Sequence, residues 1–230
     1  KSCCSMNNTF IGSWIARAQT SSTNNYGCEN TYIGYAAGYR SLCERNVTAI
    51  GSCAAFCRCG NYAGLAIGFK AGLCTRATYD DIAVGTCANC CGWWTYRSTV
   101  AGYKAASAGG YHCDHVSVGA CTNCLSYVAR YDTVIGTCAA LLNMYGYYNV
   151  YVGYKAMTAG GWGSAWFSPG WNCFCHNTAI GDQAGNLAIN GSVWCYGQCN
   201  TFIGADTRTY CSGTNKIHNQ LVIGYGAQSN

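Results

Sequence analysis

Charge is what this sequence has least of. Asp, Glu, Lys and Arg make up 9% of 230 residues, about a third of the usual share for a globular protein. The 13 basic and 8 acidic residues leave a net charge of +5 and are scattered rather than clustered, which excludes the basic footprint of a nucleic-acid binder. Proline occurs once. No apolar run approaches the roughly 18 residues that a membrane helix needs. No basic-then-apolar leader opens the chain, so any signal peptide is expected to be already removed or to lie outside this sequence.

The scarcity of carboxylates also bears on catalysis. A polysaccharide-cutting enzyme needs paired acids, and the 8 here are dispersed. Asp80 and Asp81 are adjacent, and neighbouring strand residues face opposite sides. No nucleophile elbow or phosphate-cradling glycine loop stands in a strand–helix setting. The expectation is a protein that is not an enzyme and carries no cofactor.

Glycine, by contrast, supplies 30 residues, half the chain is apolar and 14% is aromatic, which excludes a disordered chain. The 20 cysteines are about 9% of the residues, near the level of a disulfide scaffold, and point to an oxidising compartment. Glycosylation sequons at Asn7, Asn46 and Asn190 agree with secretion.

Self-similarity decides the fold. An apolar pair followed by glycine recurs from Phe10-Ile11-Gly12 to Val222-Ile223-Gly224, and from Gly34 to Gly153 these glycines fall every 17 residues, seven steps without a slip. The outer spacings of 22, 28, 23 and 20 read as loops inserted into the same rung. The residue before glycine is Ile or Val in eleven of twelve rungs, Ala101 being the exception. The third residue after it is Ala in nine, with Ile15, Thr122 and Thr207 departing. A small column beside a β-branched one predicts an interior of fixed, narrow width, built from short strands. Each rung is expected to pair in parallel with the next, since one rung cannot bury its own apolar face.

The fold class expected is therefore all-β: a parallel β-solenoid, or β-roll, of about twelve rungs, disulfide-stapled. Residues 1–230 form one repeat domain, with regular rungs over 34–153, a Trp/Gly-rich insertion over 154–177 and looser rungs over 178–230. After the glycine, Tyr35, Phe69, Tyr103 and later Tyr154 alternate with small residues, which predicts rings packed between adjacent rungs or between chains, or an outward binding surface.

The phrases Asn8-Thr9-Phe10-Ile11-Gly12, Asn177-Thr178-Ala179-Ile180-Gly181-Asp182-Gln183-Ala184-Gly185 and Asn200-Thr201-Phe202-Ile203-Gly204 are similar to repeats of phage and viral tail-fibre proteins. Thr48-Ala49-Ile50-Gly51-Ser52-Cys53-Ala54 resembles the head repeat of trimeric autotransporter (YadA-like) adhesins. The resemblance implies a parallel β-roll, three chains side by side, and a fibre that binds host surfaces. This sequence departs from it in its cysteines and in its longer rung.

Cys57, Cys74 and Cys91 share one column of successive rungs, Cys121 and Cys138 another, and Cys43 lies near Cys59 at a neighbouring turn. Strand spacing predicts disulfide staples at these places. Metal ligation and redox thiols are the alternatives for Cys87/Cys90, Cys121/Cys124 and Cys53/Cys57, although zinc wants four converging ligands and a redox pair wants a helix N-terminus. His112-Cys113-Asp114-His115 is read as a polar corner rather than a metal site. Cys173-Phe174-Cys175-His176 lacks the spacing for haem attachment. The insertion gathers Trp162, Trp166 and Trp171 with the one proline, an aromatic platform for sugars or a plug against another subunit.

The functional expectation is an extracellular fibre or adhesin module on a virion or cell surface. It associates with itself as a homotrimer or a head-to-tail filament, and possible further partners are a host glycan or receptor. From Gly224 to Gly12 of a following copy the spacing is 18 residues, close to the internal period, and an open heterologous contact of that kind generates a polymer. The alternative is a monomeric β-solenoid that binds a glycan or an ice surface. Ice binding wants an unbroken Thr array, and the column Thr9, Thr31, Thr48 is interrupted by Leu65 and Ile82.

Overall fold

The computed structural model describes residues 7–15, 28–41, 44–58, 62–75, 77–107, 110–126, 128–141, 145–160, 174–189, 196–211 and 216–229. All regular structure among them is β, in strands of two to four residues. Two compact units form, Lys1–Asp114 and His115–Asn230.

In the first unit Thr9–Ile11, Thr31–Ile33, Thr48–Ile50, Leu65–Ile67, Ile82–Val84 and Thr99–Ala101 pair in parallel and in register as one face. Ala77–Tyr79, Trp94–Tyr96 and Tyr111–Cys113 make a second face, prolonged by single bridges from Arg45 to Tyr62 and from Tyr62 to Tyr79. In the second unit the first face is Val116–Val118, Thr133–Ile135, Val150–Val152, Thr178–Ile180, Thr201–Ile203 and Leu221–Ile223. Its second face is Val128–Arg130, Tyr145–Tyr147, Phe174–Cys175, Tyr196–Gln198 and Lys216–His218.

The fold is thus a parallel β-solenoid, and register partners such as Thr48, Leu65 and Ile82 stand 17 residues apart. Among the described residues, turns carrying a strand on both faces number eight, three in the first unit and five in the second. That is fewer than the twelve that the glycine count leads one to expect. Among the described residues of the early rungs, the second face carries only the single bridges Arg45–Tyr62 and Tyr62–Tyr79.

Where the glycine spacing exceeds 17, the extra chain is put to use. The second unit has a third face of Ala159–Gly160, Asn186–Ile189, Arg208–Cys211 and Gln228–Ser229. The insertion expected over 154–177 therefore begins as an ordinary rung, with a strand at Ala159–Gly160, and returns to the second face at Phe174–Cys175.

Glycine marks the end of every first-face strand because two backbones approach there. At Gly51 φ is +132°, and a Cβ would lie 2.6 Å from the Gly68 carbonyl oxygen. The corner beyond alternates left-handed residues, such as Cys53 and Ala55 with φ of 56° and 52°. Non-glycine residues resist this conformation at about 1–2 kcal/mol each, and inter-rung hydrogen bonds offset it. The Cys53 N–H donates to Tyr35 O on one side and the Ala55 N–H to Ala71 O on the other, both at 2.9 Å.

The Ala column is interior as expected: Ala37, Ala54, Ala71, Ala88, Ala105, Ala139, Ala156 and Ala184 are fully buried. It meets the middle residues of the first-face strands, among them Tyr32, Ala49, Ala66, Ala83, Val100, Val134, Tyr151, Ala179 and Phe202, although Phe10 in the first strand is exposed. The Ile/Val column is a correction. It was expected to line the interior, but it faces outward, because side chains alternate along a strand and a three-residue strand turns only its middle residue inward.

Candidate functional site on the outward apolar face

The outward surface of the first face follows from that alternation. Ile50, Ile135, Ile180 and Ile203 are 37%, 40%, 41% and 40% exposed. The parallel outward column three before glycine runs through Thr48, Leu65, Ile82, Val116, Thr133 and Val150. None of the six first-face strands in either unit contains a charged residue. A solvated sheet face normally alternates apolar-in with polar-out residues. This face turns Ile and Val outward instead.

Beside the face stands the aromatic column. Tyr35, Phe69, Tyr103 and Tyr154 are about half exposed. They recur mostly on alternate rungs. Lysine lies over three of the rings: the Nζ of Lys70, Lys104 and Lys155 lies 5.0, 5.3 and 5.0 Å from the centroids of Phe69, Tyr103 and Tyr154. Each is a cation–π contact of about 0.5–1 kcal/mol at an exposed site. On the second face Tyr62, Tyr79 and Tyr96 stack in succession, with centroids 5.3 and 5.1 Å apart. In the second unit Tyr131, Tyr148 and His176 do the same at 4.7 and 5.1 Å.

Inside, a polar ladder climbs the position four before glycine. The Asn30 N–H donates to Asn8 Oδ1, Val47 N–H to Asn30 Oδ1, Asn177 N–H to Asn149 Oδ1, Asn200 N–H to Asn177 Oδ1 and Gln220 N–H to Asn200 Oδ1, at 2.8–3.0 Å. This is the Asn of the Asn-Thr-x-Ile-Gly phrase, whose role the sequence reading did not assign. Its recurrence four before glycine was the available signal. Aspartate replaces it twice. Asp81 accepts from Ser98 N–H and the Thr95 hydroxyl; Asp132 Oδ1 accepts from the backbone and side-chain amides of Asn149 at 2.8 and 3.0 Å. Burial pushes the Asp81 carboxyl up to about 6 and that of Asp132 up to about 7, against the hydrogen bonds that favour ionisation.

The first unit also buries an ion pair that sequence reasoning missed. Arg58 Nε lies 3.9 Å from Glu44 Oε1, donates to Thr75 Oγ1 at 2.8 Å, and its guanidinium donates to Thr78 Oγ1 at 2.7 Å. The Tyr32 hydroxyl donates to Glu44, and burial, reinforced by Glu44, pushes the Tyr32 phenol far up. Nothing in the local sequence around Arg58 distinguishes it from a surface arginine.

Among the described residues the expected staples are not formed. The described cysteines, including Cys57, Cys74, Cys91, Cys121 and Cys138, are thiols. In-register residues of adjacent rungs stand about 4.8 Å apart with parallel Cα–Cβ bonds, whereas a disulfide wants Cβ atoms about 3.8 Å apart. Cys43 and Cys59 lie outside the described residues, as do Trp162, Trp166, Trp171 and Asn190. Asn7 and Asn46 are exposed, at left-handed corners with φ of 57° and 55°. His112 and His115 are buried, and Asp114 pairs with Arg97 at 2.7 Å. No group of three or more His, Cys, Asp or Glu among the described residues is placed to hold one metal ion.

No known protein family, curated protein or solved structure matches this chain.

Proposed function

We propose that this chain is a structural module of an extracellular fibre or adhesin, in which copies associate side by side through the outward apolar face. The observation that carries the reading is that face itself, with its Ile and Val columns in register, exposed and uncharged. Six strands about 4.8 Å apart and roughly 10 Å long give each unit a flat patch of about 300 Å², the size of patch that marks interaction sites on monomers. Contiguous apolar area of this kind releases about 25 cal/mol per Å² when covered. Exposed sequon asparagines at Asn7 and Asn46 support the extracellular assignment, and the adhesin resemblance supports three copies, bound in turn to a host glycan or receptor.

The test places lysines in the middle of the patch. Ile135→Lys with Ile180→Lys is expected to fold, since both side chains face outward, and to sediment as a monomer where the parent chain self-associates. Tyr96→Lys, on the second face, is expected to leave association unchanged. Equal association of all three proteins would sink the reading. A parent chain that itself stays monomeric would leave the monomeric solenoid, with the lysine-capped aromatic column as its glycan surface.

A further inference from the structure

One corner of the first unit carries thiols in a line. Cys57, Cys74 and Cys91 each lie six residues after the glycine of successive rungs. Backbone hydrogen bonds fix the stacking: the Cys57 N–H donates to Tyr39 O and the Cys74 N–H to Phe56 O, both at 2.8 Å. Burial, and after it the neighbouring Cys57 and Cys91 thiols, push the Cys74 thiol up. Cys74 and Cys91 are exposed and Cys57 is half-buried, so the column is open to solution. Cys90 lies beside the column, with its Sγ 3.8 Å from Cys91 Sγ and its S–H directed to Ser107 O at 3.2 Å.

The rung spacing decides what such a column can hold. At about 4.8 Å the Cα spacing is within disulfide range, but parallel Cα–Cβ bonds hold the Cβ atoms slightly beyond the usual range of about 3.5–4.5 Å. Two metal–thiolate bonds of about the zinc length, roughly 2.3 Å each, span about 4.6 Å in line, and the shorter bonds of a two-coordinate cation need only a small inward turn of the side chains. Soft thiolates select soft cations, Cu(I) above all. A tetrahedral ion would need more ligands, and no three described side chains converge on one point.

We propose that the column Cys57–Cys74–Cys91 binds a soft d10 cation of the Cu(I) type in linear two-coordination between thiolates of adjacent rungs. Two thiols each release a proton to solvent, two sulfur–metal bonds form, and no electron is transferred. Cys121 and Cys138 repeat the arrangement on adjacent rungs of the second unit, where the Cys138 N–H donates to Ala120 O at 2.9 Å. Cys87 does not, because the residues stacked on it at the same column are Lys70 and Lys104.

The experiment is an anaerobic titration of the reduced full chain with Cu(I), supplied as its acetonitrile complex. Uptake is read from the thiolate-to-copper absorption and from bound metal after desalting. Cys74→Ser leaves Cys57 and Cys91 two rungs apart, about 9.6 Å, and is expected to bind one ion fewer per chain than the parent. Cys87→Ser is expected to match the parent, and circular dichroism of each variant checks that the rungs remain. Uptake by Cys74→Ser equal to the parent, or a loss by Cys87→Ser as large as that of Cys74→Ser, would overturn the proposal.

Discussion

At the scale of single residues the fold is governed by which side chains a narrow coil can admit. Gly51 has a φ of +132° and a neighbouring carbonyl oxygen where a Cβ would sit, whereas Gly64 has an ordinary φ and only the Arg58 side chain and Asp81 O nearby, at 3.6 and 3.7 Å. Gly51→Ala is therefore expected to lower stability by several kcal/mol, since it combines backbone strain with a clash. Gly64→Ala is expected to change it by less than about 1 kcal/mol. Urea midpoints of the two variants compare them directly.

Asp132 gives a prediction with a sign. Its folded pKa of about 7 stands above the unfolded value near 3.9, so the folded state holds the proton longer. The stability this contributes is complete below about pH 4, is lost as pH rises towards 7, and is flat beyond. Asp132→Asn keeps the acceptor for Asn149 and cannot ionise. It is expected to gain on the order of 2–4 kcal/mol over the parent at pH 8 and nothing at pH 4, as read from thermal unfolding at the two values.

Of these residue-scale features, the glycine and alanine columns were legible in the sequence because their requirements are strict: the glycine position meets a neighbouring backbone, and the alanine position admits only Ala in nine rungs of twelve and Ile or Thr in the other three. The direction of the Ile/Val column was not. Its β-branched residues suit a strand on either face, and composition alone made them look like core.

Elements behave the same way. The parallel pairing and the 17-residue register were readable from periodicity, because one column must become one ladder. The third face of the second unit was not, since the longer spacings there read as loops. The buried Glu44–Arg58 pair was likewise invisible, its members being 14 residues apart and brought together only by the coil. Removing one partner leaves an uncompensated buried charge, which typically costs about 3–5 kcal/mol. Glu44→Ala is expected to destabilise the first unit by that order, and hydrogen exchange is expected to report the loss at Tyr32, Thr75 and Thr78, which surround the pair. Unchanged protection at those amides would mean that the pair is dispensable.

For the whole molecule, one contrast matters most. A chain with 9% charged residues keeps those residues off the first-face strands and leaves Ile and Val exposed there. Free in solution such a face is a liability; covered by another copy it becomes an interface.

The most direct test is the native molar mass of the reduced chain, by light scattering behind size exclusion. The account predicts a discrete oligomer, at three times the 24.5 kDa of one chain if the copies pack as a trimer. A single species at 24.5 kDa, unchanged on concentration, would contradict it.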